Sequence, residues 1–275
     1  MSLIRDIINL KNNIEINNCK IVNIDIGLSH NAPFSKRWKE CLKNDIFIIG
    51  IEPNTKALNS LNQKKYIKNN ANYLLIHGAV DDVKNICDKD FYMTTNDVGT
   101  SSLYKPIFEP KKGKNYIKHT EQITKVNCFP LYLLLERFPW EKKEYIDYLK
   151  VDAQGSDLNI IKSCKSYLDR IVYITLEDDG DQYEGSEYNN VDNITKYMNE
   201  NNFVRIEHPN TNDPTFLNKK YTKKMNETFV LQLPYEWCNK PFNGIKYARI
   251  WKEEDGGNYK NRPHPECGGS MSPIR

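Results

Sequence analysis

At 275 residues, the chain is long enough to bury a sizeable core as one domain or two. Its net charge of +3 is too mild for a protein that holds nucleic acid on a basic surface. The mean hydropathy of −0.70 and the lack of any run of roughly eighteen apolar residues argue against a membrane span, and the first residues carry no apolar signal core. Seven cysteines, an odd number with no Cys-x-x-Cys pair, suit reduced thiols in a cytoplasmic setting and offer no zinc-site spacing, so no metal is expected.

In chain order, residues 3–14 place Leu3, Ile4, Ile7, Ile8 and Leu10 on one helical face, and 1–20 is read as an N-terminal helix packing on the core. A strand is predicted over 21–26. A helix follows over 34–43, with Trp38 and Leu42 inward and Lys36, Arg37, Lys39 and Lys43 outward. The next strand covers 46–51. Asn54 or Thr55 then caps a helix that runs to about Leu61. Further strands are expected at 73–77, 91–94 and 123–127, with a polar, turn-rich loop over 96–102 and a basic stretch over 105–118. A helix over 131–138 leads to a strand at 148–152. Beyond it lie a helix over 157–168, a strand at 171–176, a helix near 190–200, and strands at 203–207 and 227–233. Strands that alternate with helices predict a mostly parallel sheet with helices on both faces. The main domain is taken as 21–250, and the Gly-, Pro- and charge-rich 251–275 as a flexible tail.

Two of these strands end in chemistry. Ile21-Val22-Asn23-Ile24-Asp25-Ile26-Gly27 is a buried-type strand that runs into an Asp-x-Gly turn. Phe47-Ile48-Ile49-Gly50-Ile51-Glu52-Pro53 is a second such strand, ending in a carboxylate. This is the strand–turn–helix–strand–acid layout of a nucleoside-binding half-sheet, with Glu52 placed to accept both hydroxyls of a ribose. A dinucleotide also needs a Gly-rich turn to cradle its pyrophosphate. Here Leu28-Ser29-His30-Asn31-Ala32-Pro33 follows Gly27 with no second glycine. S-adenosylmethionine, a sulfonium without phosphate, tolerates such a turn.

Further along, Leu149-Lys150-Val151-Asp152-Ala153-Gln154-Gly155-Ser156-Asp157-Leu158, followed by Ile160-Ile161, resembles the "LKIDVQGAELEVL" segment of the FkbM-like methyltransferases. Asp97-Val98-Gly99-Thr100-Ser101-Ser102-Leu103 is similar to that family's glycine-and-serine loop. Asn23–Gly27, Ile51-Glu52-Pro53 and Gly78-Ala79-Val80-Asp81-Asp82 are similar to its cofactor segments, in the same order. The resemblance spans roughly residues 20–180. It departs at the missing second glycine, at Asp157 where the family has Glu, and at Lys162-Ser163-Cys164 where it has Lys-Gly-Ala.

The resemblance implies a Rossmann-like class I methyltransferase fold of the α/β class: a mostly parallel seven-stranded sheet, helices on both faces, and an antiparallel final strand. It implies S-adenosyl-L-methionine as cofactor and O-methylation of a hydroxyl on a glycan or small polar metabolite. Asp25 and the amides near Gly27 are then expected at the methionine end and Glu52 at the ribose. Ala79 and Val80 would lie against the adenine ring, with Asp81 or Asp82 at its amine; Pro53 and Ser101 complete the cofactor set. Asp152 is the candidate base for the acceptor hydroxyl, with a cap on the helix near Ser156 as the alternative. Lys150, on the same strand face, either joins the chemistry or fixes a neighbouring carboxylate. His30 is the second-choice base. Glu177-Asp178-Asp179 reads as a solvated acidic turn, or as a magnesium site with Asp152. A nucleic-acid 2′-O-methyltransferase and a non-catalytic binding protein are the rival readings; Lys150, Asp152 and Glu177 echo only part of the former's Lys-Asp-Lys-Glu set.

Overall fold

The computed structural model describes residues 3–94, 98–107, 120–206 and 213–221. Its helices and strands follow the expected alternation. Helix α1 (Leu3–Asn9) is followed by a 3-10 turn (Leu10–Asn12), α2 (Ile14–Asn18), β1 (Ile21–Ile26), α3 (Pro33–Leu42), β2 (Ile46–Glu52), α4 (Thr55–Leu61), β3 (Tyr73–His77) and β4 (Ala79–Val80). Then come β5 (Cys87–Thr94), β6 (Thr120–Phe129), α5 (Leu131–Glu136), β7 (Ile146–Val151), α6 (Asp157–Lys162), β8 (Ile171–Thr175), α7 (Val191–Glu200), β9 (Phe203–Ile206) and β10 (Thr215–Asn218).

The main sheet has seven strands in the order β3-β2-β1-β7-β8-β10-β9. β10 runs antiparallel to both its neighbours; β1, β2, β3, β7 and β8 pair in parallel. Parallel strands covered on both faces must be apolar nearly throughout, and β1, β2 and β7 are buried along almost their whole length. Val22, Ile24, Ile26, Leu149 and Val151 face a core that also takes in Leu3, Ile7, Leu131 and Leu158. Leu28, Trp38, Ile48, Tyr148 and Tyr173 build the core on the other face, under α3. A separate three-stranded sheet, β4-β6-β5, stands beside it.

Several expectations need correction. The N-terminal helix is not continuous over 3–14. Asn13 accepts a hydrogen bond from the Glu15 amide and starts a new helix, so Ile4 and Ile8 are exposed while Leu3, Ile7 and Leu10 are buried. The helix over 157–168 breaks at Ser163, whose hydroxyl donates to the Ile160 carbonyl and accepts from the Leu131 amide; such back-bonding competes with helix continuation. Lys39 is buried with no hydrogen bond at Nζ, and burial lowers its pKa. The antiparallel strand of the main sheet is Thr215–Asn218, a segment left unassigned by sequence. The strand expected over 227–233, the tail from 251 and most of the basic stretch lie outside the described residues. No helix among the described residues is long and apolar enough to cross a membrane.

Candidate functional site

β1, β2 and β7 all end at the same edge of the sheet, and a cleft of ≈ 520 Å³ opens there. Open α/β sheets bind ligands at the carboxyl ends of their strands. The lining includes Gly27, Glu52, Pro53, Ala79, Val80, Ser101, Lys150, Asp152, Gln154 and Glu177. Eight of the residues singled out by sequence therefore share one cavity. Asp25, His30 and Asp81 are not among its lining residues.

Gly27 is needed for close approach, but to protein rather than ligand. Its φ is +78°, and a Cβ built there would lie 1.7 Å from the Asp152 carbonyl oxygen. The turn lies so close because β1 and β7 are adjacent and Asp152 continues their ladder, its amide donating to the Ile26 carbonyl at 3.0 Å. Two amides of this turn are already engaged within the protein. Gly27 N–H donates to the Ile51 carbonyl, and the Ser29 amide donates to Glu52 Oε2 at 2.9 Å.

Glu52 also accepts from the Asn54 amide at 2.7 Å on its other oxygen. Asn54 in turn caps α4 through the Lys56 and Ala57 amides. The Glu52 carboxylate is thus oriented by local turns and is 4 % exposed. Desolvation pushes its pKa up to about 7, against the backbone hydrogen bonds that favour ionisation.

Asp25 stands directly beside Lys150 in the parallel register of β1 and β7. It is buried, with Oδ2 taken by the Ser35 amide at 3.1 Å and the Ser35 hydroxyl at 2.6 Å. The Ser35 hydroxyl also accepts from Tyr73 at 3.0 Å. Asp25 therefore anchors α3 to the sheet and does not reach the cleft, which corrects its assignment to the methionine amine. Asp81 is likewise buried, its Oδ2 paired with Lys89 at 2.6 Å, and is not placed for the adenine amine; Asp82 is exposed. His30 is exposed, its Nδ1 3.2 Å from the Ser29 hydroxyl, and does not stand as a base in the cleft.

Lys150 is 4 % exposed at its side chain. Its Nζ donates to the Gly27 carbonyl and to Asp152 Oδ2, both at 3.0 Å, lies 3.7 Å from Asp25 Oδ1, and sits 5.3 Å above the Phe34 ring. Burial opposes its charge, but Asp152 and Asp25 outweigh burial and its pKa is raised. A charged ammonium held by two carboxylates is a fixed electrostatic post rather than a proton donor. Asp152 makes its bonds to Lys150 and to Gln154 Nε2 at 2.9 Å and does not cap α6, whose N-cap Ser156 also makes no side-chain bond there. Burial raises the Asp152 pKa, but Lys150, Glu177 and Gln154 together hold it below the usual carboxylate range.

Sequence reasoning did not find Ser35 or Tyr183, and it left Glu177 as part of a solvated turn or as a magnesium ligand beside Asp152. Glu177 is a cleft residue rather than part of a solvated turn: its Oε2 accepts from Gln154 Nε2 at 2.6 Å. Among the described residues no group of three His, Cys, Asp or Glu side chains has metal-holding geometry.

A seven-stranded sheet in this order, with a carboxylate at the end of its second strand, defines the class of Rossmann-like methyltransferases. The sequence matches the methyltransferase FkbM domain over residues 15–205, and the chain belongs to that family; it carries a methyltransferase domain. No curated protein and no solved structure gave a significant match.

Proposed function

We propose that the protein transfers a methyl group from S-adenosylmethionine to a hydroxyl on a glycan or small polar metabolite. The observation that carries this reading is one cleft lined by both Glu52, at the end of β2, and Asp152, just beyond the end of β7. The residues present fit the cofactor. Glu52 already accepts from the Ser29, Asn54 and Leu28 amides, and a carboxylate with about four lone-pair sites keeps room for a ribose hydroxyl. Pro53, Ala79 and Val80 supply apolar lining of the same cleft for a purine, and Ser101 is a further lining residue. When bound, S-adenosylmethionine supplies an activated methyl on a sulfonium.

The protein then has to align the acceptor, exclude water and take one proton. Asp152 is the group placed to take it. Its side chain remains 38 % exposed, so the proton can return to solvent. Lys150 holds that carboxylate in place rather than reacting. The scattered, odd set of seven cysteines suits a reducing cytoplasm.

The test is incubation with cofactor labelled on its methyl group and fractions of glycans and polar metabolites, followed by identification of what gains label. Asp152→Asn keeps the shape and removes the base; kcat should fall by about 10²-fold or more with cofactor affinity little changed. Label on nitrogen or carbon, or full activity in Asp152→Asn, would refute the hydroxyl chemistry proposed.

A further inference from the structure

Gln154 is held in the cleft through both its backbone and its side chain. Its φ is +54°, in the left-handed region. Its carbonyl accepts from the Ser102 hydroxyl at 2.6 Å, and its side-chain oxygen accepts from the Tyr183 hydroxyl. The amide nitrogen spends its two protons on two different carboxyls, Asp152 Oδ1 at 2.9 Å and Glu177 Oε2 at 2.6 Å. Turned over, the amide would set its oxygen against the Asp152 carboxylate and its nitrogen against the Tyr183 hydroxyl that now donates to it, and these two fix its orientation. β7 and β8 are neighbours in parallel, and this places the residues just beyond their ends side by side.

We propose that Glu177 is a positioning residue of the methyl-transfer site: it is the carboxylic-acid half of a pair with Asp152, yoked by Gln154, and its hydrogen bond sets how Asp152 stands toward the acceptor. This rests on the function proposed above. Two carboxyls bound to one amide oppose each other's ionisation. Burial, then the Asp152 and Asp179 charges, raise Glu177 well above the usual range, and Asp213 acts in the same sense. Asp152 has Lys150 on its own strand, with Asp25 behind that ammonium, and Asp157 on α6 nearby. Both directions favour the proton on Glu177 and the negative charge on Asp152.

In the transfer step the acceptor O–H bond breaks and its proton goes to Asp152. The electron pair left on oxygen forms the new C–O bond. The C–S bond breaks with its pair going to sulfur, and Asp152 then releases the proton to solvent. Glu177 keeps its own proton throughout.

The test does not depend on an acceptor. Isotope-edited NMR of the carboxyl carbons, with Asp152→Asn to assign the signal, follows the titration midpoint of Asp152 in the full-length protein. Glu177→Ala removes a hydrogen bond that favours the ionised form, so the midpoint should rise by about one pH unit. Glu177→Gln keeps an N–H donor and should leave it in place; Glu177→Met repeats the test without a donor should the alanine variant not fold. An unchanged midpoint without the donor overturns the proposal. A fall overturns it too, because that is the sign of removing a negative neighbour. With an acceptor in hand, kcat should drop about tenfold or more in Glu177→Ala and stay near wild type in Glu177→Gln. A raised midpoint with no transfer to any acceptor would remove the methyl-transfer reading and leave the pair; transfer with an unmoved midpoint would remove the pair alone.

Discussion

Cofactor affinity should depend on pH through Glu52. The carboxylate keeps an acceptor site for the ribose that the protonated acid lacks, and it ionises near pH 7 because burial outweighs the backbone amides facing it. With a midpoint of about 7, the ionised share rises from about one-eleventh at pH 6 to about ten-elevenths at pH 8, so S-adenosylmethionine should bind about tenfold more tightly at pH 8. Stability moves the opposite way. The folded pKa lies above the ordinary glutamate value of 4.5, so the folded state holds a proton that the unfolded chain has lost. The contribution of Glu52 is fully present below pH 4.5 and is lost as pH rises through about 7, a change of up to about 3 kcal/mol. Calorimetric titration from pH 6 to 8, beside urea melts of the free protein, measures both. In Glu52→Gln binding should be clearly weaker and its pH slope should flatten, which separates Glu52 from the cofactor's own titrating groups. Equal slopes in wild type and variant would refute the ribose assignment.

Other outcomes follow from the same geometry. Gly27→Ala should lose several kcal/mol or fail to fold, since its Cβ would collide with the Asp152 carbonyl at a positive φ; circular dichroism melts check this. Lys150→Met leaves Asp25 buried without its counter-ion. A loss of about 3–5 kcal/mol is expected, seen as a melting temperature about 10 °C lower. Asn54→Ala should remove about 1 kcal/mol with its cap on α4, measured by urea unfolding, and should weaken cofactor binding less than Glu52→Gln.

The sequence by itself determined the frame. Buried β-branched runs at 21–26 and 46–51 read as central parallel strands, because residues apolar on both faces must be covered on both, and the segment read as a strand at 148–152 falls in register beside the first of them. Asp-x-Gly and Ile-Glu-Pro, placed at the ends of such strands, already located part of the cleft lining. The periodicity was silent where a strand owes its existence to a partner. Asp88, Lys89 and Asp90 have no apolar pattern and become β5 only by pairing with β6. Thr215–Asn218 is a short segment among polar residues and becomes a strand because it fills the gap between β8 and β9. Which carboxylates serve the cleft was likewise decided by tertiary structure. Asp25 and Glu52 look alike in the chain, each near the end of a buried strand. Asp25 points under α3, where Ser35 takes one oxygen and Lys150 faces the other, whereas Glu52, at the very end of β2, opens into the cleft. Asp152 and Glu177 lie twenty-odd residues apart and meet at Gln154 only because β7 and β8 are neighbours in parallel. A linear pattern carries the burial of each strand, but the pairing of side chains across strands depends on register and order, which only the folded sheet supplies.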